Sequence, residues 1–219
     1  LQKALRDVLG AHVEQAGSYV SADRLRFDFT HFQAMTPQEL SRVEREVNRH
    51  ILAALPVKTE QMTMEEARKS GAMALFGEKY GSTVRVVSMG DYSKELCGGT
   101  HLSNTAQAGS FKILSESGVA AGVRRIEALT GLAALEHYNQ QEEALKEVAG
   151  ILKTNPDRVV EAASTLTQQV KDLQREVESL QSQMASGEAD ELLQTAEQHN
   201  GIAVLTYYAP EMDANALKQ

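Results

Sequence analysis

An α+β domain followed by a long helical region is the fold this sequence predicts, and three observations carry it. Through about residue 131, alternating apolar runs and capped helical runs interleave without the regular strand–helix repeat of a doubly wound sheet. Beyond Gly131 the composition shifts to Ala, Leu, Gln and Glu, with no glycine from Leu132 to Ala149. Charge divides at the same place. Residues 1–131 hold 16 Lys+Arg against 15 Asp+Glu, whereas residues 132–219 hold 6 against 15, within a total of -8 at pH 7.

The elements follow in order. Leu1, Ala4, Leu5 and Val8 have helical spacing and Gly10 ends it; no capping residue precedes Leu1, so these read as the later turns of a helix. Leu25-Arg-Phe-Asp-Phe29 alternates at period two after a Ser-Ala-Asp turn, which predicts a half-buried strand. Thr36-Pro37-Gln38-Glu39 supplies a capping hydroxyl, a first-turn proline and a third-position Glu, predicting a helix to about Leu55, before Pro56. Residues 57–62 read as extended and 65–69 as helical. Arg85–Met89, Phe111–Ser115 and Val123–Leu129 read as strands. Asn155-Pro156-Asp157 starts a new helix, along which Val159, Ala163, Leu166, Val170, Leu173, Val177, Leu180 and Met184 form a strict heptad seam. So narrow a seam needs a partner, and the preceding helix, with Leu135, Glu142, Leu145, Ala149 and Leu152, is the nearest; an antiparallel hairpin is expected ahead of a long intermolecular coil. Past Gly187, a short helix leads to Asn200-Gly201, a strand covers Ile202–Tyr208, and a helix begins at Asp213–Gln219. The expected division is 1–131 for the α+β domain, 132–187 for a coiled-coil hairpin linker and 188–219 for the start of a further α/β domain.

Composition excludes several classes. With 219 residues, 42% hydrophobic and 24% charged, the chain is neither disordered nor collagen-like. Apolar stretches such as Ile51–Leu55 fall far short of the ~20 residues of a membrane span, and no basic-then-apolar leader opens the chain. The one cysteine, Cys97, cannot form an internal disulfide and fits a reducing, cytoplasmic setting. An acidic helical region repels phosphate, which directs any nucleic-acid contact to the first part.

Glu95-Leu-Cys97-Gly98-Gly99-Thr100-His101 is the densest constellation. Cysteine and neutral histidine are zinc donors, and two glycines allow the tight bend that turns both toward one ion. Two donors are half a site, and spacing alone equally fits a buried small cysteine with a satisfied core histidine. His12-Val-Glu-Gln15-Ala-Gly17-Ser18 gathers polar groups in a turn between a helix and an extended segment. Ser115 to Glu127 is a glycine-punctuated loop leading into Arg124-Arg125, able to approach a phosphate but matching no nucleotide-loop spacing.

Together, Cys97-Gly-Gly-Thr-His101, Gly71-Ala-Met-Ala-Leu-Phe-Gly-Glu-Lys-Tyr80, Leu25-Arg-Phe-Asp-Phe29 and Ser117-Gly-Val-Ala-Ala-Gly-Val-Arg-Arg-Ile-Glu127 closely resemble the editing domain of bacterial alanyl-tRNA synthetases. The resemblance covers about residues 1–131. The helical region resembles the family's coiled linker, and Ile202 onward the start of its C-terminal domain, giving a homodimer through that region as one implied partner. It implies a hydrolase that removes wrongly attached serine or glycine from the 3′ end of alanine tRNA, within a ligase whose ATP site lies in an aminoacylation domain outside the matched residues. It further implies a Zn²⁺ ion held by Cys97 and His101 and by two histidines expected just ahead of Leu1. It implies catalytic roles for Gln15, Ser18 and Cys97; on chemical grounds Thr100 joins them in lining the pocket, the backbone N–H groups near Gly98 and Gly99, or the zinc, are expected to hold the substrate's oxyanion, and Arg124 is a candidate to bind substrate phosphate. Two alternatives stay open: a non-catalytic tRNA-binding or dimerisation module, and a free-standing editing hydrolase acting in trans.

Overall fold

The structure, a computed structural model, describes residues 1–73 and 81–206. Contacts divide the chain into two compact units, Leu1–Glu142 and Glu143–Gln219. The expected α+β class is what the first unit shows.

Helix α1 (Gln2–Leu9) leads into strands β1 (Gln15–Val20) and β2 (Leu25–Thr30). Helix α2 (Pro37–Leu52) starts at the capping box read from sequence: the Thr36 hydroxyl accepts from the Glu39 N–H, and the Glu39 carboxylate accepts from the Thr36 N–H. Strand β3 (Val57–Thr63) runs into helix α3 (Met64–Lys69), capped in the same way by Thr63 and Glu66. Strands β4 (Thr83–Met89) and β5 (Ser93–Leu96) complete an antiparallel β3-β4-β5 meander. A 3₁₀ turn at Thr105–Ala108 precedes strands β6 (Phe111–Ala120) and β7 (Val123–Thr130), which join the first two as an antiparallel sheet ordered β1-β2-β7-β6. Gly109 takes φ 66°, and a Cβ there would stand 2.8 Å from the Gly131 Cα, so only glycine lets this loop cross the end of β7.

One face of the four-stranded sheet carries the main core. Phe27 and Phe29 of β2, Phe111 and Ile113 of β6, and Ile126 and Ala128 of β7 pack with Ala4 and Leu5 of α1 and Val43 and Ile51 of α2. Burying each of the larger side chains contributes about 1.5–3 kcal/mol. A second, smaller cluster joins Ala67, Val84, Val86 and Leu96 in the meander. Helix α2 also covers the start of the outer margin of β6. The Asn48 side-chain amide donates to the Phe111 carbonyl at 2.8 Å and its oxygen accepts from the Phe111 N–H at 2.8 Å. One turn earlier, Glu44 accepts from the Ile113 N–H at 2.9 Å. Two helix side chains thereby stand where a fifth strand would pair.

Helix α4 (Gly131–Ile151) crosses from the first unit into the second, where a 3₁₀ turn at Pro156–Arg158 opens helix α5 (Val159–Gln194). Three expectations are corrected here. Helix α5 continues through Gly187 to Gln194, because one glycine costs only about 1 kcal/mol against its Ala-, Glu- and Leu-rich neighbours. The short helix expected before Asn200 is instead strand β8 (Glu197–His199), paired with β9 (Ile202–Val204) across a turn in which Asn200 and Gly201 both take positive φ. Finally, Leu166, Val170, Leu173, Val177, Leu180 and Met184 keep 46–68% of their surface exposed, so the expected burial of the seam against the preceding helix is not formed. The heptad pattern states that a face wants cover, not what covers it. Tyr208 and the helix expected at 213–219 lie outside the described residues, as does residue 74–80 of the Gly71–Tyr80 motif.

Candidate functional site

The polar segment around Gln15, expected to be a turn, is instead edge strand β1, formed by its pairing with β2. A register shift between Gln15 and Gly17 marks a β-bulge, with Gln15 opposite Phe29 and Ser18 opposite Phe27. Residues three apart on a regular strand point to opposite faces, and the extra residue of the bulge brings these two back to the same one. The Gln15 amide donates to the Ser18 hydroxyl at 2.9 Å. Both lie on the core face of the sheet, at its margin, where the side chains pass from packing to solvent.

Cys97 to His101 follow β5 without regular structure. Cys97 is half-buried, while Gly98 lies in open space, with nothing within 4 Å of where a Cβ would stand. Arg85 of β4 holds this loop. Its carbonyl accepts from the Cys97 N–H at 3.1 Å, and its guanidinium donates to the Cys97 carbonyl at 2.8 Å and the Gly99 carbonyl at 2.5 Å. His101 is exposed at the surface; partial desolvation and then the Arg85 charge hold its imidazole below the ordinary value, with Glu95 opposing, so it is biased to the neutral form that ligates metals.

Among the described residues no hydrogen bond joins the Gln15–Ser18 pair to the Cys97–His101 loop, and neither lines the cavity of about 180 Å³ that lies between α1, α2 and β5. Phe27, the cross-strand neighbour of Ser18, lines it together with Leu1, His50, Tyr92 and Glu95. Glu95 lies two residues before Cys97. Tyr92 donates to Asp7 at 3.3 Å and its ring stacks on His50; burial raises its phenol far above the ordinary value, so it is a neutral donor at every physiological pH.

Arg124 is placed elsewhere. Its Nε and Nη2 donate to the two carboxylate oxygens of Glu116 at 2.5 and 2.8 Å, with the side chains only 18% and 5% exposed. Its neighbour Arg125 makes the matching bidentate pair with Asp28 across the sheet and holds that carboxyl below the usual range.

Sequence reasoning missed two features. Arg85 sat inside a valine-rich strand, and only the pairing of β4 with β5 brings it to the loop. His12 and His31, 19 positions apart, meet with Nε2 and Nδ1 2.9 Å apart and rings stacked at 5.2 Å, with exposed Phe32 stacked on His12. Burial first, then the His12 charge, lowers the His31 imidazole, whose Nε2 has no partner. Neither feature had a local signal.

No group of three or more His, Cys, Asp or Glu able to hold a metal occurs among the described residues. Cys97 and His101 are of the donor types zinc takes, but they are two where a structural site needs four and a catalytic one about three. No described helix is long and apolar enough to cross a membrane.

Comparison with known proteins bears on the same residues. Residues 84–127, from β4 through the Cys97 loop to β7, match the family model for the threonyl and alanyl tRNA synthetase second additional domain. The whole chain is 56% identical over 218 residues to an alanine–tRNA ligase of Acetivibrio thermocellus, 51% over 218 residues to alanine–tRNA ligase 1 of Lachnoclostridium phytofermentans and 49% over 219 residues to that of Clostridioides difficile. It spans about a quarter of the length of each of these relatives.

Proposed function

The chain belongs to the alanine–tRNA ligase family, and on that premise we propose that its first unit is the cytoplasmic editing hydrolase of such a ligase, clearing serine or glycine from the 3′ end of alanine tRNA. The observation that carries the reading is the open, glycine-flanked Cys97–His101 loop, held by Arg85 inside the stretch that matches the family model. In the parent ligase, ATP would be used by an aminoacylation domain, not by these residues.

An aminoacyl ester is already labile, so the site needs to orient the carbonyl and a water and stabilise the oxyanion; a nucleophilic triad is not required. Gln15 and Ser18, paired on one face by the bulge, and Thr100 offer hydrogen bonds to the hydroxyl by which serine differs from alanine. With alanine bound, these polar groups would be left unpaired, which disfavours its removal. Cys97 and His101 would hold a Zn²⁺ ion, completed by two histidines ahead of Leu1. Leu1 lines the same cavity as Glu95, two residues before Cys97, which supports that reading. A zinc ion bound there supplies Lewis-acid polarisation or anchors the terminal adenosine.

The test is the rate of serine release from serylated alanine tRNA, with alanylated tRNA and Cys97→Ala alongside. Selective release lost in the variant supports editing; release equally fast in Cys97→Ala removes the loop from the chemistry. The exposed heptad seam of α5 favours one second reading, a dimerisation or tRNA-binding scaffold. Light scattering separates the two, because an intermolecular seam makes a concentration-dependent dimer.

A further inference from the structure

Between the Cys97 N–H and Ser103, whose carbonyl accepts from Val57, Arg85 supplies the hydrogen bonds that fix the loop's backbone among the described residues. It takes two particular carbonyls, those of Cys97 and Gly99. Among the described residues every peptide bond is trans, and in a trans peptide the C=O of one residue and the N–H of the next point in opposite directions. Turning the Cys97 carbonyl toward Arg85 therefore turns the Gly98 N–H away from it, and turning the Gly99 carbonyl in does the same to the Thr100 N–H. Neither N–H has a partner among the described residues. The space beside Gly98 is open, whereas a Cβ at Gly99 would stand 3.6 Å from the Cys97 sulfur. The loop is thus uncrowded at Gly98, and Gly98, Gly99 and Thr100 are all exposed.

The geometry points to an oxyanion seat made by the backbone N–H groups of Gly98 and Thr100, with Arg85 as the positioning residue that aims them. The seat takes the carbonyl oxygen of an aminoacyl ester and rests on the editing reading given above. In the step it serves, a water oxygen bonds to the carbonyl carbon and the carbonyl electron pair moves onto its oxygen, where the two donors meet the charge. The pair then returns as the bond to the ribose oxygen breaks; that oxygen takes one water proton and the amino acid leaves with the hydroxyl. Arg85 touches neither substrate nor water. Both bonds leave its Nη1, while Nη2 reaches the Thr59 hydroxyl at 3.5 Å, so the planar guanidinium is held by β3 as it grips the loop, an orientation a lysine point charge lacks.

The experiment compares wild type, Arg85→Lys and Arg85→Met in the full-length ligase for serine release, and in this chain for labelling of Cys97, its only cysteine, by a thiol reagent. Losing aimed donors costs about 100-fold in kcat with KM within about threefold, because the seat acts on the charge that develops after binding. Arg85→Lys should recover part of the loss, and Cys97 should label several-fold faster in Arg85→Met at an unchanged melting temperature. Should Arg85→Met fail to fold, Arg85→Lys decides by the same kcat and KM readings. Wild-type kcat in the folded variants, or a loss wholly in KM, overturns the seat while leaving editing standing. A wild-type enzyme that releases no serine overturns the editing reading and the seat's substrate with it; the labelling rates then still report whether Arg85 holds the loop.

Discussion

The Arg124–Glu116 pair makes a sharp test, because its two ends predict opposite things about the arginine. With the carboxylate 5% and the guanidinium 18% exposed, removing one partner strands the other charge nearly out of water. Breaking a buried pair in this way costs about 3–5 kcal/mol, and the partial exposure of Arg124 scales this down to about 2–4 kcal/mol. Glu116→Gln leaves the guanidinium without its counter-charge; Arg124→Met leaves the carboxylate with the Met35 N–H at 3.4 Å. The double variant removes both charges and should cost less than the two singles combined, with a coupling of at least about 2 kcal/mol. Urea unfolding of all four proteins, read at a common m-value, moves the midpoint by about 1–2 M for each single variant. Single-variant costs that add within about 0.5 kcal/mol would show that the pair is not coupled. A folded Arg124→Met with its stability intact and its KM for serylated tRNA raised tenfold would refute the reasoning outright, and return Arg124 to the substrate.

Asn48→Ala removes the amide that satisfies both backbone groups of Phe111, and at about 1–3 kcal/mol for each stranded group should lower stability by about 2–5 kcal/mol in the same titration. Gln15→Ala should slow serine release without shifting the melting temperature by more than a degree or two; an unchanged rate removes Gln15 from the pocket. His31 sets a pH dependence. Its folded value lies below the ordinary 6.5, held down by burial and His12 and up by Glu39 and Glu116, so the unfolded chain takes the proton first. Its contribution to stability is intact above about pH 6.5 and is lost as pH falls through the folded value. The drop in melting temperature from about pH 7.5 to about pH 5.5 should therefore be smaller in His31→Gln, and an equal drop in both proteins removes His31 as the cause.

What was legible in the sequence is what is local. Thr36 and Glu39 close their capping box within one turn, so the start of α2 could be placed to the residue, and the period-two run of Leu25–Phe29 gave β2 directly. Strand β1 could not be read this way. Gln-Ala-Gly-Ser-Tyr-Val has little strand character, and its bulge breaks the alternation that marks a strand; pairing with β2 makes it one. The site divides along the same line. Cys97 and His101 stand out because their donor chemistry is contiguous, whereas Arg85 reaches the loop only through the register that sets Val86 against Leu96. Arg124, beside two glycines in a loop-like stretch, looked available to a phosphate. Its partner Glu116 stands eight residues earlier on the neighbouring strand, a separation that no helical or turn pattern marks.

The cover that Asn48 and Glu44 give β6 has a bearing on how this protein would fail. Those side chains guard only the start of β6, at Phe111 and Ile113, whereas β1 at the opposite margin has no such guard among the described residues, so a foreign strand meets least resistance there. Self-association by strand addition would then settle against the backbone that carries Gln15 and Ser18. On the editing reading proposed above, serine release would then fall as the first small oligomers form, before any precipitate could be seen.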